Sequence, residues 1–205
     1  MRPLFITGIG TGIGKTIVAA ILTEKLQADY WKPIQSGDLD NSDTERVKSL
    51  VSNSLTQFHP EAYKLSQPFS PHKSAALDGI KIELGKIILP ETDNRLIIEG
   101  AGGLMVPLNE KDMIIDLIKQ LDAEVILVSK NYLGSINHTL LSLEMLKIRN
   151  IPLKGIIFNG ESDSYSEDLI LNFSGAKALA RIPVINNLNK SSVSEIGTQL
   201  DELKL

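Results

Sequence analysis

The stretch Gly8-Ile9-Gly10-Thr11-Gly12-Ile13-Gly14-Lys15-Thr16 places a lysine and a hydroxyl directly behind a run of glycines. Glycines let successive backbone N–H groups converge on an anion without side-chain obstruction. A helix starting at Lys15 would point its positive end at the same anion. Lys15 would then neutralise the outer phosphates of a nucleoside triphosphate such as ATP, and the Thr16 hydroxyl would be a ligand for Mg²⁺. Thr11, Gly12, Ile13, Gly14 and Ile17 complete the phosphate-side set. The spacing is a variant, because the strict loop has four residues between its first glycine and the Gly-Lys pair. Ile9 occupies that first position here, and Gly8 lies one residue further back. The dinucleotide pattern G-x-G-x-x-G also fails, with Ile13 standing where its last glycine would be. A glycine-rich turn that merely opens a helix is the bland alternative. The position after an apolar strand and before an amphipathic helix favours the phosphate reading.

A second candidate lies in Arg95-Leu96-Ile97-Ile98-Glu99-Gly100-Ala101-Gly102-Gly103. This reads as an apolar strand ending on a carboxylate and then on small residues. In open α/β sheets ligands sit outside the carboxyl ends of the strands. Glu99 would therefore share an edge with Lys15 and Thr16 and complete an oxygen shell for Mg²⁺. Gly100, Ala101 and Gly102 would line the same edge.

These groups need a sheet to hold them. Short apolar runs recur at Leu4–Ile6, Tyr30-Trp31, Leu96–Ile98, Val125–Val128, Gly155–Phe158 and Ala178–Pro183. Continuous rather than alternating runs indicate strands buried on both faces. Helical spacing appears between them, at Lys15–Gln27, Met113–Leu121 and Ile136–Ile148, with a shorter candidate at Asp43–Val51 that Ser42 would cap. Strand and helix in alternation predict a doubly wound, mostly parallel α/β sheet of the P-loop type, forming a single domain over residues 1–205. Residues 52–94 are less regular. Two prolines make Gln67–His72 an irregular stretch, and the polar tail from Asn186 carries little signal.

Bulk properties narrow the function. The net charge is −4, which gives no footprint for nucleic acid. There are no cysteines, so thiolate metal sites, disulfides and a cysteine-dependent glutaminase in this chain are excluded. No signal-like segment or membrane-length apolar run is present. The expectation is a cytoplasmic protein without nucleic-acid or membrane partners. The histidines His59, His72 and His138 have no metal-ligand spacing and read as structural or loop residues.

The chain resembles the dethiobiotin synthetase family, on motifs spanning residue 4 to about 185. Its loop keeps that family's wider glycine spacing, with Thr11, Gly14, Lys15 and Thr16 matching, Ile9 and Gly10 departing, and Gly12 standing where a glutamate can occur. Lys32-Pro33-Ile34-Gln35-Ser36-Gly37, Asn41-Ser42-Asp43, Ser70-Pro71-His72, Glu99–Gly103, Leu133–His138, Ile157–Asn159 and Ile182-Pro183 follow in family order. The resemblance implies a ligase that uses ATP and Mg²⁺. It would add CO₂ to 7,8-diaminononanoate, phosphorylate the carbamate and close a cyclic urea. It makes Lys32 and Lys15 catalytic, Ser36 a substrate contact, and Thr16, Asp43 and Glu99 the metal set. Only the Asn-Ser-Asp match selects Asp43 over Asp38 and Asp40. Asn159 and Gly160, with Pro183, Val184 and Ile185, would face the base. The family is homodimeric, and the helix opening at Ser135–Asn137 would receive the substrate carboxylate across the interface. The rivals are a partitioning-type switch ATPase, which carries a second lysine where Gly10 stands, a related amidoligase, and a module that binds nucleotide without turnover.

Overall fold

The computed structural model describes residues 1–200. In chain order the elements are β1 (Leu4–Gly8), α1 (Lys15–Leu26), β2 (Asp29–Trp31), β3 (Ile34–Ser36), α2 (Asp43–Leu50), β4 (Phe58–His59), β5 (Tyr63–Leu65) and α3 (Pro71–Leu77). They continue with β6 (Leu96–Glu99), α4 (Ile114–Gln120), β7 (Glu124–Ser129), α5 (Ser135–Ile148), β8 (Leu153–Asn159), α6 (Ser164–Ser174), β9 (Ala178–Ile182) and α7 (Lys190–Gln199). Seven strands form a sheet in the order β4-β2-β6-β1-β7-β8-β9, and β3 pairs with β5 apart from it. The strand pairs are parallel.

The apolar runs produce this sheet because both of its faces are covered. Alternate residues of β1 go to opposite sides, Leu4 and Ile6 into one core and Phe5 into the other. Val18, Ile21 and Leu22 of α1, Val47 of α2 and Val193 of α7 pack with Ile6, Ile126 and Ile157. On the opposite face Ile114, Ile115 and Ile118 of α4 meet Ile98 and Val125. Leu143 of α5 and Ile170 of α6 meet Leu127, Ile156 and Phe158. Burying one such side chain stabilises the fold by about 1.5–3 kcal/mol before entropy is counted.

Register aligns the strand ends that matter. Ile6 of β1 pairs with Glu99 of β6, and Trp31 of β2 pairs with Ile98. The carboxyl ends of β1, β2 and β6 therefore open at one edge.

Some elements depart from the sequence reading. Gln67–His72 is not irregular throughout, because Pro71 opens α3. Proline suits the first helical position, where its missing N–H costs nothing. The tail holds α7, whose Asn189 cap accepts from Ser192 N at 3.1 Å and whose Val193 is fully buried. Helix ends shift by a residue, with α1 stopping at Leu26, α2 at Leu50, α4 running Ile114–Gln120 and α5 starting at Ser135. The last strand ends at Ile182, since Pro183 has no N–H to continue the ladder.

Candidate active site

The loop from Ile9 to Gly14 joins the end of β1 to the first turn of α1. Gly14 has φ 97°, and a Cβ there would lie 2.1 Å from Asn159 Nδ2. Glycine is required on both counts. The closeness is used, because Asn159 Nδ2 donates to the Ile13 carbonyl at 2.8 Å and ties the end of β8 to the loop. Ile13 turns its side chain into the core and so offers only backbone to the site.

Lys15 is 8 % exposed, and its Nζ donates to the Gly10 carbonyl at 3.0 Å. Burial pushes its pKa down, an effect that the Glu99 carboxylate only partly offsets and that nearby Lys32 reinforces. Thr16 Oγ1 lies 3.0 Å from Asp43 Oδ1 and 2.8 Å from Glu99 Oε1. Asp43 is the first residue of α2, with Ser42 accepting from Glu45 N as its cap. Asp38 and Asp40 are both exposed; Asp38 sits on the rim, 3.9 Å from Arg46.

Lys32 follows β2 and is 4 % exposed. Its Nζ contacts Asp43 Oδ2 at 2.6 Å and Glu99 Oε1 at 3.3 Å. Burial alone would lower its pKa, but the Glu99 and Asp43 carboxylates outweigh it and hold the pKa above the usual lysine value. Asp43 is the counterpart. Burial would raise its pKa, yet the Lys32 charge and hydrogen bonds from Lys32 and Thr16 keep it low. Tyr30 donates its hydroxyl to Glu99 Oε2 at 2.8 Å. Burial, and then the Glu99 charge, push that phenol far above its ordinary range.

The oxygen cluster fits a hard cation. A hydroxyl carries one proton and can donate to only one of its two carboxylate neighbours at a time, so acceptor capacity is in surplus where Thr16, Asp43 and Glu99 converge. Oxygen donors of this type suit Mg²⁺, which keeps waters and takes its other ligands from substrate phosphate.

These residues line a cavity of about 660 Å³ that also includes Thr11, Gly12, Ile17, Gly100, Ala101 and Gly102. Ser36 is on its wall, and the Ser36 Oγ is buried without a hydrogen-bond partner. Phe69, Ser70 and Pro71 also line this cavity. Ile17 is shared with a second cavity of about 340 Å³ lined by Asn159, Gly160, Pro183, Val184 and Ile185. The residues proposed from sequence line these two adjoining spaces, except Ile13, which is in the core, and the Ser135–Asn137 opening of α5, which lines neither.

Several wall residues escaped the sequence reading. Lys130, Asn131 and Glu161 lie in the second cavity and Arg46 in the first. None has a motif of its own. Only the pairing of β7 with β8 brings the first three together. The histidines stay outside both cavities. His59 bonds Asp29, His72 meets Ser70, and His138 meets Tyr132.

A parallel doubly wound sheet with a phosphate-type loop at its carboxyl edge defines a P-loop nucleotide-binding protein. A family model described as an AAA domain matches residues 2–192. Solved structures agree in fold, including a ParA family ATPase from Chlorobium tepidum (TM-score 0.60, 17 % identity, 98 % of this chain and 95 % of that one). The cell division ATPase MinD from Pyrococcus furiosus is similar (TM-score 0.62, 15 % identity, 99 % and 100 %). At such identities the likeness shows the fold alone.

Sequence relatives are far closer. An ATP-dependent dethiobiotin synthetase BioD from Christiangramia forsetii is 57 % identical over 88 % of this chain and 87 % of its own. One from Cytophaga hutchinsonii is 51 % identical over 98 % and 97 %. The chain belongs to the dethiobiotin synthetase family.

Proposed function

We propose that the chain catalyses the ATP- and Mg²⁺-dependent conversion of 7,8-diaminononanoate and CO₂ to dethiobiotin. The observation that carries this reading is the buried Lys32, placed between Asp43 and Glu99 at the phosphate end of the cavity. One substrate amine adds to CO₂ and loses a proton, giving a carbamate. A carbamate oxygen attacks the γ-phosphorus of ATP, releasing ADP and leaving a carbamic-phosphoric anhydride. The second amine attacks the carbonyl carbon, the bond to phosphate breaks, and the cyclic urea is closed.

Phosphoryl transfer of this kind needs positioning and charge neutralisation more than a protein nucleophile. Lys15 and the loop amides receive the phosphates. Lys32 remains charged at neutral pH and faces the carbamate and the transferring phosphoryl. Thr16, Asp43 and Glu99 would hold Mg²⁺, which when bound would supply further charge neutralisation at the phosphates. Ser36 Oγ meets the substrate, and the smaller cavity receives the base. The active unit in this reading is a homodimer, and the fully exposed Leu133 just before α5 is free of contacts with the rest of its own chain's core.

The test is phosphate release with Mg²⁺ and bicarbonate, with and without the diamine, in the native protein, Lys15→Ala and Lys32→Ala. Release that depends on the diamine and collapses in both variants supports the assignment. Hydrolysis indifferent to the diamine overturns the ligase reading.

A further inference from the structure

The smaller cavity is built from residues that follow three different strands. Lys130 and Asn131 follow β7, Asn159–Glu161 end and follow β8, and Pro183–Ile185 follow β9. Beyond the strand ladders, these walls share a backbone bond from Gly160 N to the Ile182 carbonyl at 2.8 Å, so side chains must fix the rest of their spacing. A slot shaped to hold a planar ring depends on that spacing to within a fraction of an ångström.

A chain of polar contacts centred on the buried Glu167 crosses these loops. Asn131 Nδ2 donates to the Glu161 carbonyl at 3.0 Å and to Glu167 Oε1 at 2.7 Å. Both partners are acceptors, which fixes the orientation of the amide. Glu167 of α6 is 2 % exposed, and Oε1 also accepts from Asp163 N at 3.2 Å. The Arg181 guanidinium, on β9, pairs with the same carboxylate. Arg181 also lies over the Phe158 ring of β8, 5.9 Å from its centre, within reach of a cation–π attraction. Two residues after Arg181 the chain forms the Pro183–Ile185 wall.

A carboxylate buried this deeply is costly unless it is paired and hydrogen-bonded. Glu167 is both, and its partners come from the loops after β7 and β8 and from β9 itself. None of the three residues belongs to the phosphate loop or the cation cluster.

We propose that Asn131, Glu167 and Arg181 form a staple that sets the width of the base slot, with Asn131 as a positioning residue for the nucleobase. The staple is expected to act mainly on the base side, since its hydrogen bonds join the loops after β7 and β8 to β9, whereas the phosphate loop meets the end of β8 through Asn159 and Ile13. The proposal rests on the nucleotide-binding part of the assigned function and is independent of the diamine.

The experiment compares equilibrium binding of ADP with that of inorganic tripolyphosphate, which has no base, for the native protein, Asn131→Ala and Glu167→Gln. Asn131→Ala removes two donor contacts and is expected to weaken ADP roughly tenfold while tripolyphosphate binding stays within about twofold. In turnover, KM for ATP rises by the same factor as the ADP dissociation constant, with kcat little changed. Glu167→Gln shifts ADP binding in the same direction. Unchanged ADP affinity in Asn131→Ala overturns the staple, and so does equal weakening of ADP and tripolyphosphate, which marks general loss of structure. Hydrolysis that ignores the diamine in an otherwise ADP-selective protein would instead remove the ligase reading and leave the staple standing.

Discussion

The Tyr30 hydroxyl donates to Glu99 Oε2 at 2.8 Å in a space closed to solvent. It holds one carboxylate oxygen so that the other, Oε1, faces Thr16 and Lys32. Groups that orient a metal ligand change metal affinity about 10–100-fold when lost. Tyr30→Phe keeps the ring and its packing against Phe58 but strands Oε2. The expected outcome is a loss of about 1–3 kcal/mol of stability and a roughly tenfold higher Mg²⁺ concentration for half-maximal turnover. Urea titration and Mg²⁺ titration of phosphate release check the two effects. An unchanged Mg²⁺ requirement would show that Tyr30 only packs.

Lys32 is the counter-charge for two carboxylates that both reach Thr16 Oγ1. Removing one partner of a buried pair costs about 3–5 kcal/mol, and the partial exposure of Asp43 places Lys32→Ala at the lower end. Divalent cation added back supplies the missing charge. Lys32→Ala is therefore expected to melt well below the native protein in chelator and to regain more of its melting temperature with Mg²⁺ than the native protein gains. Turnover falls by about 10²–10³ regardless, the usual loss for one electrostatic donor. Equal Mg²⁺ responses in the two proteins would refute the shared charge position.

Much of this was legible in the sequence because local pattern and position agreed. Leu4–Ile6 and Val125–Val128 are continuous apolar runs, and such runs are buried on both sides of a parallel sheet. Lys15 and Thr16 followed a glycine loop, and Glu99 ended a strand. The remainder depended on tertiary context. The β3–β5 pair has three residues in each strand, too few for a periodic signal. In α7 only Val193, Ile196 and Gly197 are buried, so its apolar stripe is too thin to stand out. Tyr30 reads in the sequence only as part of a short apolar run, and its hydroxyl gains a role when β2 pairs with β6. Asn131 and Glu161 are 30 residues apart along the chain, and no motif connects them.

Asp29, away from the site, anchors the start of β2. It accepts from Thr92 Oγ1 at 2.6 Å, Gln57 N at 3.0 Å and Asn94 Nδ2 at 3.1 Å, with His59 Nε2 at 3.2 Å. Burial would raise its pKa, but these hydrogen bonds outweigh it and keep the pKa below the usual aspartate value. The folded state then holds fewer protons than the unfolded one just below pH ~3.9. The stability that Asp29 contributes is thus complete above that pH and is lost as pH falls through its folded value. Asp29→Asn turns an amide toward donors and is expected to cost about 1–3 kcal/mol at pH 7. The gap from the native protein should narrow in urea titrations as pH falls below ~3.9. Curves that stay parallel would show that Asp29 does not titrate with folding.

Ser36 separates a role in binding from a role in folding. Its Oγ is buried, has no hydrogen-bond partner and lies on the wall of the larger cavity. A buried hydroxyl without a partner costs roughly 1–3 kcal/mol in the free protein. Deleting it in Ser36→Ala should leave the melting temperature unchanged or slightly raised, because no hydrogen bond is lost and a desolvated group is removed. If the partner is the substrate, the same change removes a contact that forms only in the complex. KM for the diamine is then expected to rise roughly tenfold, the worth of one well-made hydrogen bond, while KM for ATP stays the same. Steady-state kinetics varying each substrate separately, alongside a melting curve, decides the matter. A lowered melting temperature with both KM values unchanged would make Ser36 a structural residue and remove it from the substrate site.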